Sequence, residues 1–226
     1  MVIRVMVEGG VINADSTQTK QHNAMIQRNS AALRESLNAF FSRALDGEDI
    51  DIKVSVASGY KAAAKQFVSK TDEDFLYVDL DDKPENRQKW FEKLADNQVV
   101  FPEGREEVVC FWIPEMEAWF LKQPESLELW AKNEHIAIKN DTKIAEDNNI
   151  KGKDIEHLQH KPSNVLNTLF SRYLISETLD KRGKPKKLVY GKLRHASGII
   201  ACLDAQRMIE QDGELSRFVG MVKSRV

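Results

Sequence analysis

Three apolar runs in the first half of the chain each lead into carboxylates. Val2, Ile3, Val5 and Val7 run into Glu8 and the Gly9-Gly10 pair. Phe75, Leu76, Tyr77 and Val78 run into Asp79, with Asp81 two residues on. The most apolar run, 108–113, stops at Pro114, and Glu115 and Glu117 follow. Short apolar runs rich in β-branched and aromatic residues, closed by glycine, proline or acids, read as strands buried on both faces. Between them the period changes. Leu33, Leu37, Phe40, Phe41 and Ala44 share one face of a helix ending near position 45. Ile52, Val54 and Val56 alternate with polar neighbours, as in a strand near a sheet edge. A short helix follows over 60–69. Pro84 opens a charged helix carrying Trp90, Phe91 and Leu94, and another helix starts around Glu115. This alternation predicts an α/β fold with a mainly parallel sheet flanked by helices. After about residue 122 no strand pattern is visible. Helical patterns occupy 165–174, 199–209 and 215–222, with a basic Gly- and Pro-containing loop at 181–187. The expected organisation is an α/β core over 1–122 and a mostly helical extension over 123–226 packed on it. The polar stretch 13–19 has no apolar periodicity and reads as a mobile loop beside the first strand's end.

With 42% hydrophobic and 30% charged residues, the 226-residue chain can bury a substantial core, which excludes wholesale disorder. A net charge of −2 calls for neither nucleic acid nor membrane, so any such partner is a matter of local charge. Cys110 and Cys202 each sit in an apolar run and read as small buried hydrophobes, without the spacing of a thiolate zinc site. The first residues are too few and too charged for a signal segment, and no apolar stretch reaches the length of a membrane span. A cytoplasmic location and no membrane partner are therefore expected. Trp112, Trp119 and Trp130 read as core, and His157 with His160 as a surface pair. Glu8-Gly9-Gly10 lacks the further glycine or lysine of a nucleotide-binding loop, and no serine-hydrolase elbow is present.

In a parallel sheet, ligand sites form outside the carboxyl ends of the strands. If the three acid-terminated strands are neighbours, Glu8, Asp79, Asp81 and Glu115 or Glu117 meet at one rim. Clustered carboxylates push one another's pKa upward, and a divalent ion removes that conflict. An all-oxygen set favours Mg²⁺ or Mn²⁺ over zinc. Each acid alone also reads as a solvated loop residue, and the Asp79-to-Asp82 segment as a turn capping the next helix.

This order of motifs resembles the TOPRIM domain of topoisomerases, bacterial primases and the OLD (overcoming lysogenization defect) nucleases. The family's glutamate-glycine pair matches Glu8-Gly9, and its Asp-x-Asp matches Asp79 and Asp81. Glu117-Ala118-Trp119 looks like a segment of small TOPRIM-like proteins encoded beside ABC- or AAA-type ATPases in bacterial defence loci. Their late Lys-x-x-His matches Lys192 and His195. The resemblance covers about 2–121 well and the remainder loosely. It implies a Mg²⁺- or Mn²⁺-dependent nuclease acting on DNA or RNA, with Glu8, Asp79, Asp81 and Glu117 as metal ligands. Glu117 is preferred to Glu115 because it precedes Ala-Trp. A lysine near the metals is also implied, for which Lys161 and Lys192 both qualify, with His195 beside the second. It further implies a toxic effector in anti-phage defence, an ATPase partner and a homodimer, or alternatively a non-catalytic subunit regulating that ATPase.

Overall fold

The computed structural model describes residues 1–9, 20–139, 142–176, 179, 181–185 and 187–226, excepting the side chains of 20–28. The loop expected at 13–19, Gly10 and Lys186 lie outside the described residues.

The first half alternates strand and helix: β1 (Val2–Gly9), α1 (Lys20–Ala44), β2 (Asp51–Ser58), α2 (Tyr60–Ser69), β3 (Phe75–Asp79), α3 (Arg87–Ala95) and β4 (Val109–Trp112). The second half continues with α4 (Glu117–Lys122), α5 (Glu125–Asn133), β5 (Ala137–Ile138), α6 (Pro162–Tyr173), β6 (Leu174–Ile175), α7 (Lys192–Ala201), α8 (Ala205–Gln211) and α9 (Gly213–Lys223). Strands β1 to β4 form one parallel sheet in the order β2-β1-β3-β4. The expected α/β architecture with a helical C-terminal part is therefore the one observed.

The two-residue period of the strands sorts their side chains between two cores. Ile3, Val5 and Val7 of β1, Phe75 and Tyr77 of β3, and Cys110 and Trp112 of β4 share one cluster with α1 and the C-terminal helices. Met6, Leu76, Val78, Val109 and Phe111 point the other way, onto Ala63, Ala64 and Phe67 of α2 and Trp90, Phe91 and Leu94 of α3. Because Leu166, Ile199 and Phe218 belong to the first cluster, the helical half buries its apolar faces on the sheet face that α1 covers. Trp112, Trp119 and Trp130 are all core, and both cysteines are unpaired.

Side chains bond backbone groups on both outer strands. On β4, the Val109 carbonyl accepts from Arg87 Nη2 at 2.6 Å and Arg217 Nη2 at 2.5 Å, and Phe111 N donates to Glu214 Oε2 at 3.1 Å. On β2, Val54 N donates to Asn38 Oδ1 of α1 at 3.1 Å.

Two expectations are corrected, and one helix is added. The helical half contains a strand pair, β5 with β6, antiparallel and two residues long on each side. The helix expected over 199–209 is two helices, because the Asp204 carboxylate accepts from Arg207 N and caps a new start for α8. Helix α5, with Leu127, Trp130 and Ala131 buried, was not anticipated. Among the described residues no helix is long and apolar enough to cross a membrane.

Candidate active site

Strand order decides where a site can form. From β1 the chain passes to β2 on one side, and β3 pairs on the other, so the β1/β3 boundary is the point where the winding reverses. A crevice opens outside the carboxyl ends of two such strands. Glu8 and Asp79 stand there, near the ends of β1 and β3. Gly9 is required beside them. A Cβ on it would meet Val56 Cγ1 of β2 at 2.0 Å, so only glycine lets β1 close against β2 at this level.

The β3–β4 ladder continues past the strands. Leu80 N donates to Trp112 O at 3.0 Å and Asp81 N to Pro114 O at 2.7 Å. This carries Glu115 and Glu117 up beside the Asp79 turn. Asp81 takes a positive φ of 58°, which a short polar side chain tolerates better than most. The helix-capping role that the sequence offered this segment is not filled by it: the N-caps are Lys83 and Asn86, without side-chain cap bonds, and Asp82 Oδ1 accepts from Lys83 N and Asn86 Nδ2.

Asp79 is the hub. Its Oδ1 accepts from Met116 N at 2.8 Å, its Oδ2 from Lys192 Nζ at 2.6 Å, and its own N–H donates to Glu8 Oε2 at 3.2 Å. Lys192 Nζ also lies 3.9 Å from Glu117 Oε2, and the other Glu117 oxygen accepts from Tyr190 Oη at 2.9 Å. Lys192 is the first residue of α7, so the positive end of that helix faces the same carboxylates. The cation that offsets the acids thus comes from the far end of the chain, where the sequence offered none nearby.

Burial sets the protonation balance. It pushes Glu8 up to about 7, aided by the Asp79 charge and opposed by Lys192. It pushes Glu117 up to about 7 as well, with Lys192 opposing and Asp79 and Glu115 adding to the rise. For Lys192 burial works downward, but Asp79 and Glu117 more than offset it and hold the ammonium well above its usual range. Burial, then Glu117, keeps Tyr190 protonated.

The remaining residues singled out in the sequence lie in two outer positions. Asp81 faces outward and accepts from Lys161 Nζ at 2.7 Å, a bond that raises the lysine's pKa. Glu115 is buried but turned away from Lys192, and its Oε1 accepts from Ser163 N in the first turn of α6. Between the two glutamates, Glu117 is the one that meets Asp79 and Lys192. His195 sits one layer back, ringed by Trp130, Phe170 and Tyr190, with Nδ1 accepting from Gly191 N at 3.0 Å. His157 is exposed and bonded to Asp154. Tyr190 was missed, and nothing in its sequence surroundings marks it, since its role depends on reaching a residue 73 positions away.

All donors at the rim are oxygens, which suits a hard divalent ion in kind. Among the described residues, no three His, Cys, Asp or Glu side chains are grouped as a ready set of metal ligands. In the arrangement described, the Lys192 ammonium spans Asp79 and Glu117.

The chain belongs to the family described as domain of unknown function (DUF4276), whose model matches residues 3–223. No curated protein and no solved structure matches it.

Proposed function

We propose that this DUF4276 protein is a phosphodiester-cleaving nuclease of TOPRIM type, dependent on Mg²⁺ or Mn²⁺. The observation that carries the reading is the convergence of Glu8, Asp79, Glu117 and Lys192 on the carboxyl ends of β1, β3 and β4, at the sheet's switch point. The all-oxygen donors suit a hard divalent ion in kind, although among the described residues they are not drawn together as a ligand set. Glu8 and Glu117 are held toward neutrality by burial and by one another's neighbours, a conflict that an added cation relieves. Glu8, Asp79 and Glu117 would hold it, with Asp81 able to join by leaving Lys161. A bound ion would supply Lewis-acid stabilisation and a more acidic water.

The chain's own residues do the rest. Lys192 offsets the carboxylates at rest and places a desolvated ammonium where phosphoryl charge develops. Tyr190 fixes the Glu117 carboxyl by donating to one oxygen, leaving the other for ligand. The segment 181–195 is rich in Lys and Arg and ends at Lys192 on the rim, so it is suited to bring a phosphate backbone to acids that would otherwise repel it.

Incubating the protein with plasmid DNA, single-stranded DNA and tRNA, with Mg²⁺, Mn²⁺ or EDTA, tests this. Ion-dependent cleavage lost in Asp79→Asn supports the reading, and cleavage that survives EDTA or that substitution removes it. At a hundredfold excess over Kd, Mn²⁺ should add roughly 2.7 kcal/mol of stability. One observation favours a second reading, a TOPRIM-shaped subunit regulating an ABC- or AAA-type ATPase. Lys192 already neutralises the cluster from within the chain, so the fold does not require an ion. An unchanged melting midpoint in Mn²⁺, together with ATPase capture from the native host, would favour it.

A further inference from the structure

The first turn of α7 borders a cavity of about 300 Å³, lined in part by Trp130, Glu134, Leu188, Arg194, His195 and Ser197. None of the four rim acids is among its lining residues. Its back wall depends on Gly198, where a Cβ would come within 2.7 Å of Trp130 Nε1, so the glycine lets the indole lie against α7.

His195 is 6% exposed and lines this space. Because Nδ1 accepts the Gly191 N–H, the ring is neutral with its proton on Nε2. Burial, with the Arg194 charge, pushes its pKa down to about 4, in keeping with that tautomer. Among the described residues Nε2 has no hydrogen-bond partner. It is not one of the fully buried orphaned atoms, so this N–H opens onto the cavity and is free to donate to a molecule there. Arg194 stands exposed at the mouth, with no ion pair among the described residues, and Ser197 contributes a hydroxyl one turn along the wall. Three donor-bearing residues thus line one small polar space, and among the described lining residues Glu134 is the one carboxylate.

We propose that this cavity binds the oxyanion of a small phosphate- or carboxylate-bearing molecule. The oxyanion accepts from His195 Nε2–H, the Arg194 guanidinium and the Ser197 hydroxyl. Glu134 selects ligands that carry a donor group opposite the anion. The site is separate from the rim acids and does not depend on their having any activity.

The test follows the His195 ring in ¹H–¹⁵N spectra of histidine-labelled protein during titration with inorganic phosphate, chloride serving as the control at matched ionic strength. The expected result is a saturable shift of the His195 resonances with phosphate alone. Arg194→Ala should weaken it by about tenfold or more, the equivalent of one lost charge-assisted bond. Arg194 is exposed, so the variant should fold, and an unchanged thermal melt checks this. No saturable shift overturns the proposal, as does equal phosphate affinity in folded Arg194→Ala protein.

Discussion

Two acid–lysine pairs stand at the same rim, Asp79 with Lys192 at 2.6 Å and Asp81 with Lys161 at 2.7 Å. In contact distance they are nearly equal. In setting they are not: the inner pair's side chains are 11% and 26% exposed, the outer pair's 52% and 57%. The inner lysine shares its charge with a second buried carboxylate and sits at a helix N-terminus, whereas the outer one leans across open surface. Water screens the outer pair, and a low-dielectric wall strengthens the inner. Distance alone therefore says little about what an ion pair does, and the experiments below separate the two settings.

The sharpest contrast is Lys192→Ala. It leaves Asp79 and Glu117 buried without their cation, so unfolding in urea should show a loss of about 3 kcal/mol, the range for breaking a buried pair. A loss near that of a surface pair would erase the distinction.

The pH response comes next. Glu8 and Glu117 have ordinary carboxylate values near 4.5 when unfolded and about 7 when folded. The folded state therefore holds their protons more tightly. Their contribution is present in full below the unfolded value and is lost as pH rises through about 7. Raising the pH from about 5 to about 8 should lower the urea midpoint of the wild type, and Glu117→Gln should shrink that fall. An unchanged slope in the variant would mean that Glu117 is not desolvated as described.

Tyr190→Phe removes a single neutral donor from Glu117. A loss of roughly 1–2 kcal/mol is expected, growing above neutral pH where Glu117 is charged. Last, Lys161→Ala should cost less than about 1 kcal/mol in low salt and nothing measurable in high salt. A larger, salt-resistant loss would promote the outer pair to the inner class.

The same contrast explains what could be read from residues alone. Glu8 and Asp79 were legible because each lies at the end of an apolar run, and a strand's direction fixes where its end must be. The two-faced burial of β1, β3 and β4 followed from the same runs. What answers those acids was harder to place. Lys192 is 113 positions from Asp79, and only a resemblance drew attention to it. Tyr190 carried no signal at all. Helix α5 did leave marks, with Pro124 before it and Glu125 and Glu128 in its first turn, as Asp204 did for the start of α8. Strands β5 and β6 are too short for any period to register.

The covered β4 edge of the sheet limits how this molecule can associate. An open outer strand invites another chain to pair with it along the backbone, the route to strand exchange, fibrils and many peptide complexes. Here Arg87, Arg217 and Glu214 occupy backbone groups along β4, and Asn38 does so on β2. A strand added along β4 would first have to displace these side chains, whereas on β2 the side-chain bond is to the single Val54 N–H. Selectivity for a partner that meets the β4 side would then lie in residues that can change one at a time.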